Sequence, residues 1–70
     1  MDVRVRIGLK VQRLRRAKEW SQEELSARAG VHQTYLSGVE RGKRNASVLV
    51  LERIAKALGA DVADLLAKRR

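Results

Sequence analysis

Residues 20–42 read Trp20-Ser21-Gln22-Glu23-Glu24-Leu25-Ser26-Ala27-Arg28-Ala29-Gly30-Val31-His32-Gln33-Thr34-Tyr35-Leu36-Ser37-Gly38-Val39-Glu40-Arg41-Gly42, and the punctuation of this stretch decides the fold. Ser21 with Glu24 matches the S-x-x-E capping box, in which each side chain satisfies a backbone N–H that the helix leaves free, while Trp20 and Leu25 stand where a hydrophobic staple forms. A helix therefore starts at Gln22. It stops near Ala29, because Gly30 adopts the left-handed conformation that ends helices at little steric cost. After only Gly30, Val31 and His32 the helical pattern resumes over about 33–41, with Tyr35, Leu36 and Val39 on one face and Gly42 as the next stop. Two short helices joined so tightly cross steeply. The small Ser26 sits where they touch, and Val31, Leu36 and Val39 lie beneath the second helix.

Outward from this pair the chain stays helical. Over about 6–18, Ile7, Val11 and Leu14 share one helical face. Val3-Arg4-Val5-Arg6-Ile7 alternates as a strand would, but no second strand pattern exists to pair with it, so the segment is a frayed arm or the first helix turn. Residues 43–46 form a polar loop, Ser47 caps a helix carrying Leu51, Ile54, Ala55 and Leu58, and Gly59 ends it. Asp61 caps a last helix whose Val62, Leu65 and Leu66 face inward and whose Lys68, Arg69 and Arg70 suit its negative end. The expectation is an all-α domain of five helices over residues 1–70, with its core in about 6–66.

The charge balance points to a polyanion. Sixteen Lys and Arg against eight Asp and Glu leave a formal charge of +8, a field that attracts nucleic acid over distance. It is uneven: residues 1–18 carry +6, 19–40 carry −3, 41–45 carry +3 and 46–70 carry +2. The chain has no cysteine, so aliphatic packing must hold the fold, with neither disulfide nor thiolate metal site. Its longest large-apolar run is residues 48–51, far short of the roughly 18 residues that span a membrane. No signal-peptide stretch opens it. These features fit a cytoplasmic protein with no membrane, cofactor or metal role. An enzyme finds little support: there is one histidine, Glu23 and Glu24 point in different directions on their helix, and no glycine-rich phosphate loop or metal-ligand spacing occurs.

The runs Leu14-Arg15-Arg16, Trp20-Ser21-Gln22-Glu23-Glu24-Leu25, Ala29-Gly30-Val31 and Tyr35-Leu36-Ser37-Gly38-Val39-Glu40-Arg41-Gly42 resemble the Cro and phage-repressor type helix-turn-helix proteins, the XRE family, nearly position by position over residues 6–66. Within that family, residues 34–45 are most similar to stand-alone controller proteins of restriction-modification systems, and related runs occur in other bacterial and phage regulators. Ser26 departs from the family's usual alanine but remains small. The resemblance implies a lambda-repressor-like fold with the helix-turn-helix at about 22–41. It also implies a sequence-specific regulator of transcription bound to double-stranded DNA.

In that setting the second helix of the pair lies in the major groove with its leading residues at base edges. Gln33 can bond bidentately to adenine, and His32, Thr34 and Ser37 share the exposed edge; for His32, a helix cap or phosphate contact is the simpler role. Gln22 matches a phosphate-binding position at a helix N-terminus. Arg41, Lys43, Arg44 and Asn45 follow the reading helix and meet phosphates. Gly38 permits either close approach to DNA or simple packing. The family pairs the position of Glu40 with an arginine of the first helix, here Arg15. Trp20 is a core staple rather than a stacking platform, since Tyr35 is the only other aromatic.

Val48, Leu49, Val50, Val62, Leu65 and Leu66 are more apolar than one internal face requires, and some of them are expected to form a two-fold patch. The resulting homodimer would bind a near-palindromic operator with no small-molecule effector. The competing expectation is an antitoxin-type protein-interaction module that binds DNA secondarily.

Overall fold

The computed structural model describes residues 2–67, and among them five α-helices and no strand occur. They are α1 (Val3–Ala17), α2 (Gln22–Ala29), α3 (Gln33–Glu40), α4 (Val48–Ala57) and α5 (Val62–Leu66). Lys68, Arg69 and Arg70, expected at the end of the last helix, lie outside the described residues.

Helix α1 begins three residues earlier than its apolar periodicity predicts. The carboxylate of Asp2 accepts the Arg4 backbone N–H at 2.8 Å and caps the helix, so the alternating Val and Arg residues become its first turns. Helix α2 starts and stops where its punctuation directs. The Ser21 hydroxyl accepts the Glu24 N–H at 3.0 Å, and Gly30 ends the helix at φ 71°. Only the serine half of the capping box is seen: the Glu24 carboxylate turns along the helix to accept from Arg28 Nε at 2.6 Å. Ser47 caps α4 through the Val50 N–H at 3.2 Å, and the Asp64 carboxylate accepts the Asp61 N–H at 3.0 Å to tie off α5.

Val11, Leu25, Leu36, Ile54 and Leu65, contributed one from each helix, are fully buried and form the centre of the core. Helix α1 packs on α3 and α5, α2 on α3 and α4, and α4 on α5. Truncating any of these leucines would cost about 2–5 kcal/mol in lost burial and cavity formation. Leu65 therefore leaves the set of residues expected at a two-fold interface, since its side chain is already enclosed by its own chain. Val50 and Val62 are half-buried against the same core. Val48 and Leu49 are 69% and 72% exposed and Leu66 is 41% exposed, so three of the six expected residues present free apolar surface.

Candidate nucleic-acid interface

Three features of the sequence aim α3. The first is the left-handed turn at Gly30, which lets α2 end and α3 begin within three residues; a Cβ there would meet nothing within 4 Å, so the demand is on backbone conformation and not on space. The second is Ser26, buried where α2 meets α3, with its hydroxyl satisfied by donation to the Glu23 carbonyl at 2.9 Å.

The third is a charged clasp. Arg15 Nε and Nη2 donate to the two oxygens of Glu40 at 2.7 and 2.9 Å, with both residues buried. The Arg15 Nη1 reaches the Trp20 carbonyl at 2.8 Å, and Gln22 Nε2 donates to Glu40 Oε1 at 3.1 Å. The C-terminal end of α3 is thereby bolted to α1 and to the start of α2. The hydrogen bond to Glu40 raises the Arg15 guanidinium above its ordinary value, against the opposing effect of burial.

Helix α1 approaches this end of α3 closely because residue 8 has no side chain. A Cβ on Gly8 would stand 2.4 Å from the Val39 carbonyl oxygen and 2.7 Å from that of Glu40. Beside it, Gln12 Nε2 donates to the Glu40 carbonyl at 2.7 Å, covering an acceptor that the helix end leaves free. Neither residue is among those the sequence reading selected. An interior helix glycine, about 1 kcal/mol worse than alanine, was the available signal for Gly8.

With its far end held, α3 presents the other to solvent. His32, Gln33 and Thr34 are exposed and Ser37 is half-exposed on the same edge. His32 occupies the cap position of α3, but its side chain makes no capping hydrogen bond. Gln22 is half-buried, its amide oriented by Glu40. Arg41, Lys43, Arg44 and Asn45 are all exposed in the turn after α3. Arg44 folds back over α3, its guanidinium 4.6 Å from the Tyr35 ring centroid and its chain against Gly38. Gly38 is thus buried under Arg44, which favours packing over close approach to DNA. Trp20 is half-buried against the core and covered by Arg28 at 4.2 Å and Lys18 at 5.3 Å, in keeping with a structural role.

An eight-residue helix is about 12 Å long, and the major groove is about 12 Å wide. A short helix held by its C-terminal end, with amide and hydroxyl groups at its open edge and a basic turn behind it, has the form of the second helix of a helix-turn-helix DNA-binding domain. The chain belongs to the HTH_3 helix-turn-helix family, whose sequence profile matches residues 11–65. That family and its relatives here are DNA-binding transcriptional regulators of XRE type and not enzymes.

The chain is 47% identical over 66 residues to an uncharacterised helix-turn-helix transcriptional regulator of Sinorhizobium fredii, covering 94% of this chain and 86% of that one. It is 44% identical over 66 residues to the control protein C.BamHI of Bacillus amyloliquefaciens, covering 93% and 82%. Its fold matches the crystal structure of the restriction-modification controller protein C.AhdI of Aeromonas hydrophila with a TM-score of 0.85 at 39% identity, over 89% of this chain and 94% of that one. The architecture is accordingly lambda-repressor-like. No helix among the described residues is long and apolar enough to cross a membrane.

Proposed function

We propose that this regulator acts as a homodimer on a near-palindromic operator in promoter DNA, within the cytoplasm of a bacterium. Two copies place the leading edge of α3 in successive major grooves about 34 Å apart. Gln33, with Thr34, Ser37 and His32 beside it, reads base edges. Residues 41–45 and the start of α2 at Gln22 grip phosphates, giving affinity without sequence information.

The observation that carries this reading is the asymmetry of α3: Glu40 is 3% exposed and clasped by Arg15, while Gln33 and Thr34 stand free in solvent at the opposite end. The homodimer is supported by Val48, Leu49 and Leu66, large apolar side chains exposed on a small domain that gains by covering them. Control of restriction-modification genes is supported by the likeness to C.BamHI and C.AhdI. Dimerisation makes occupancy rise steeply with protein concentration, which suits a timing switch.

Selection of bound sites from random duplex DNA tests the proposal. Two inverted half-sites about one helical turn apart are expected. On the selected site, Gln33→Ala should flatten discrimination among base variants, a loss of about 1–3 kcal/mol at one position per half-site. Arg44→Ala should weaken all duplexes alike and lower the salt slope by about one unit. Unrelated sequences recovered without a common half-site, or exchanged effects of the two substitutions, would refute it.

A further inference from the structure

Helix α1 contains no acidic residue, yet its basic residues divide into two groups. Arg4 is paired with Asp2 and Arg15 with Glu40. Arg6, Lys10, Arg13 and Arg16 make no salt bridge among the described residues, and with Leu9, Ala67 and, on the side toward α3, Gln12 they line a shallow groove on the outside of the molecule. Arg13 and Arg16 are exposed, and Lys10 and Arg6 are partly so. Arg6 reaches the Leu66 carbonyl with Nη2 at 3.3 Å, while its Nε is buried without an acceptor. Four cations thus run along about 15 Å of one helix.

This face is not an extension of the reading head. Gly8 points at the carbonyls of Val39 and Glu40, so its direction marks the side of α1 that meets α3. At 100° per residue, Arg6, Lys10 and Arg13 lie about 140–200° around the helix from it, and Arg16 about 80°. A duplex seated on the leading edge of α3 would have to pass around a helix about 10 Å thick to reach them.

We propose that the outer face of α1 is a second, sequence-independent DNA-binding surface, which lets a copy bound to one duplex through α3 hold a second duplex by its phosphates. Charge complementarity selects the occupant: a line of cations with no acid on the helix matches a phosphate backbone. Leu9 adds little, since phosphate contact needs no apolar partner. Neutralising about four phosphates gives a salt slope near −3.6, which is about a hundred-fold weaker binding between 50 and 200 mM salt. The second duplex is therefore held at low salt and released at high salt, while a specifically read operator remains.

The inference rests on DNA occupancy through α3, and the experiment separates the two. Biotinylated duplex carrying the selected site is fixed on beads and loaded with protein, and a labelled 30-base-pair duplex of unrelated sequence is added. Capture of the label at 50 mM salt and at least ten-fold less at 200 mM is expected. Lys10→Gln/Arg13→Gln should lose at least ten-fold in capture and about two units of salt slope while the protein stays on the beads. Arg53→Gln/Lys56→Gln, which removes the same charge from exposed positions on α4, should capture normally. Wild-type protein retained on the beads without label at 50 mM salt refutes the second surface. Equal loss in both double variants reduces it to net charge, and undiminished capture by Lys10→Gln/Arg13→Gln assigns bridging to the reading heads; either result overturns the proposal. Preferential capture of labelled polyglutamate, with the duplex left free, overturns it in favour of an acidic protein partner. Loss of protein from the beads sinks the α3 reading instead.

Discussion

Removing one partner of the Arg15–Glu40 clasp is the sharpest way to ask whether it aims α3. In Glu40→Ala, Arg15 keeps its buried position but loses both carboxylate bonds, at 2.7 and 2.9 Å, and retains only the Trp20 carbonyl at 2.8 Å. Arginine cannot discharge itself by losing a proton, so the cation must stay buried and poorly paired or drag its surroundings open. Breaking a buried pair in this way costs about 3–5 kcal/mol. A domain of this size holds about 3.5–10 kcal/mol in total. Each kcal/mol corresponds to about 4–8 °C in Tm at this length, so a fall of at least about 12 °C is expected.

Far-UV circular dichroism on heating, with urea unfolding at 25 °C, measures the loss. A fall under about 4 °C would refute the argument, because that is the scale of an exposed ion pair. Arg15→Met/Glu40→Leu provides the internal check. Buried pairs exchanged together for apolar side chains are often neutral or stabilising, so the double variant should melt above Glu40→Ala. If it melts lower, the burden lies in the bond from Arg15 to Trp20 and not in the ion pair.

Three other outcomes follow from the same geometry. Gly8→Ala gains intrinsic helix propensity of about 1 kcal/mol yet should lower Tm, because its Cβ would stand 2.4 Å from a backbone oxygen; an unchanged or higher Tm would mean that α1 and α3 separate freely. The hydrogen bond from Arg4 holds the Asp2 carboxyl down at about 2 from its usual 3.8. A depressed value means that its contribution to the start of α1 is present above about pH 4 and is lost as pH falls toward 2. Carboxyl-carbon NMR should place the Asp2 midpoint near 2 and move it upward in Arg4→Ala, and a wild-type midpoint near 3.8 would sink the pairing. Val48→Ser/Leu49→Ser, which removes two side chains 69% and 72% exposed, should leave Tm at low concentration nearly unchanged. It should also shift sedimentation toward monomer at least ten-fold in concentration, and unchanged dimerisation would clear that face of the role.

What could be read in the sequence was what is local to it. Ser21, Gly30 and Ser47 act on backbone groups within a few residues, so the starts of α2 and α4 and the end of α2 were legible from spacing alone. Apolar periodicity starts α1 near residue 6 and leaves residues 3–7 as a frayed arm or the first helix turn; the second alternative holds because Asp2 caps the helix, a signal that the alternating Val and Arg residues obscure. The interface set was harder, since periodicity assigns a face to a helix but does not say whether that face meets its own chain or another. Leu65 and Leu66 are adjacent and equally apolar, yet the first is enclosed and the second is 41% exposed, a difference set by how α5 lies on α1 and α4.

The same limit applies to the recognition helix. Gln33 and Glu40 are both polar residues of one eight-residue helix, and propensity treats them alike. The structure separates them: Glu40 meets Arg15, 25 positions away in the chain, at the point where Gly8 lets α1 approach, and Gln33 is exposed with no side-chain hydrogen bond among the described residues. A polar side chain satisfied inside the protein holds the helix in place, and one left unsatisfied at its leading edge is available to a base. The reading role proposed for α3 therefore depends on a packing arrangement at its opposite end, and on that proposal a change at Gly8 or Arg15 should disturb DNA recognition without touching DNA.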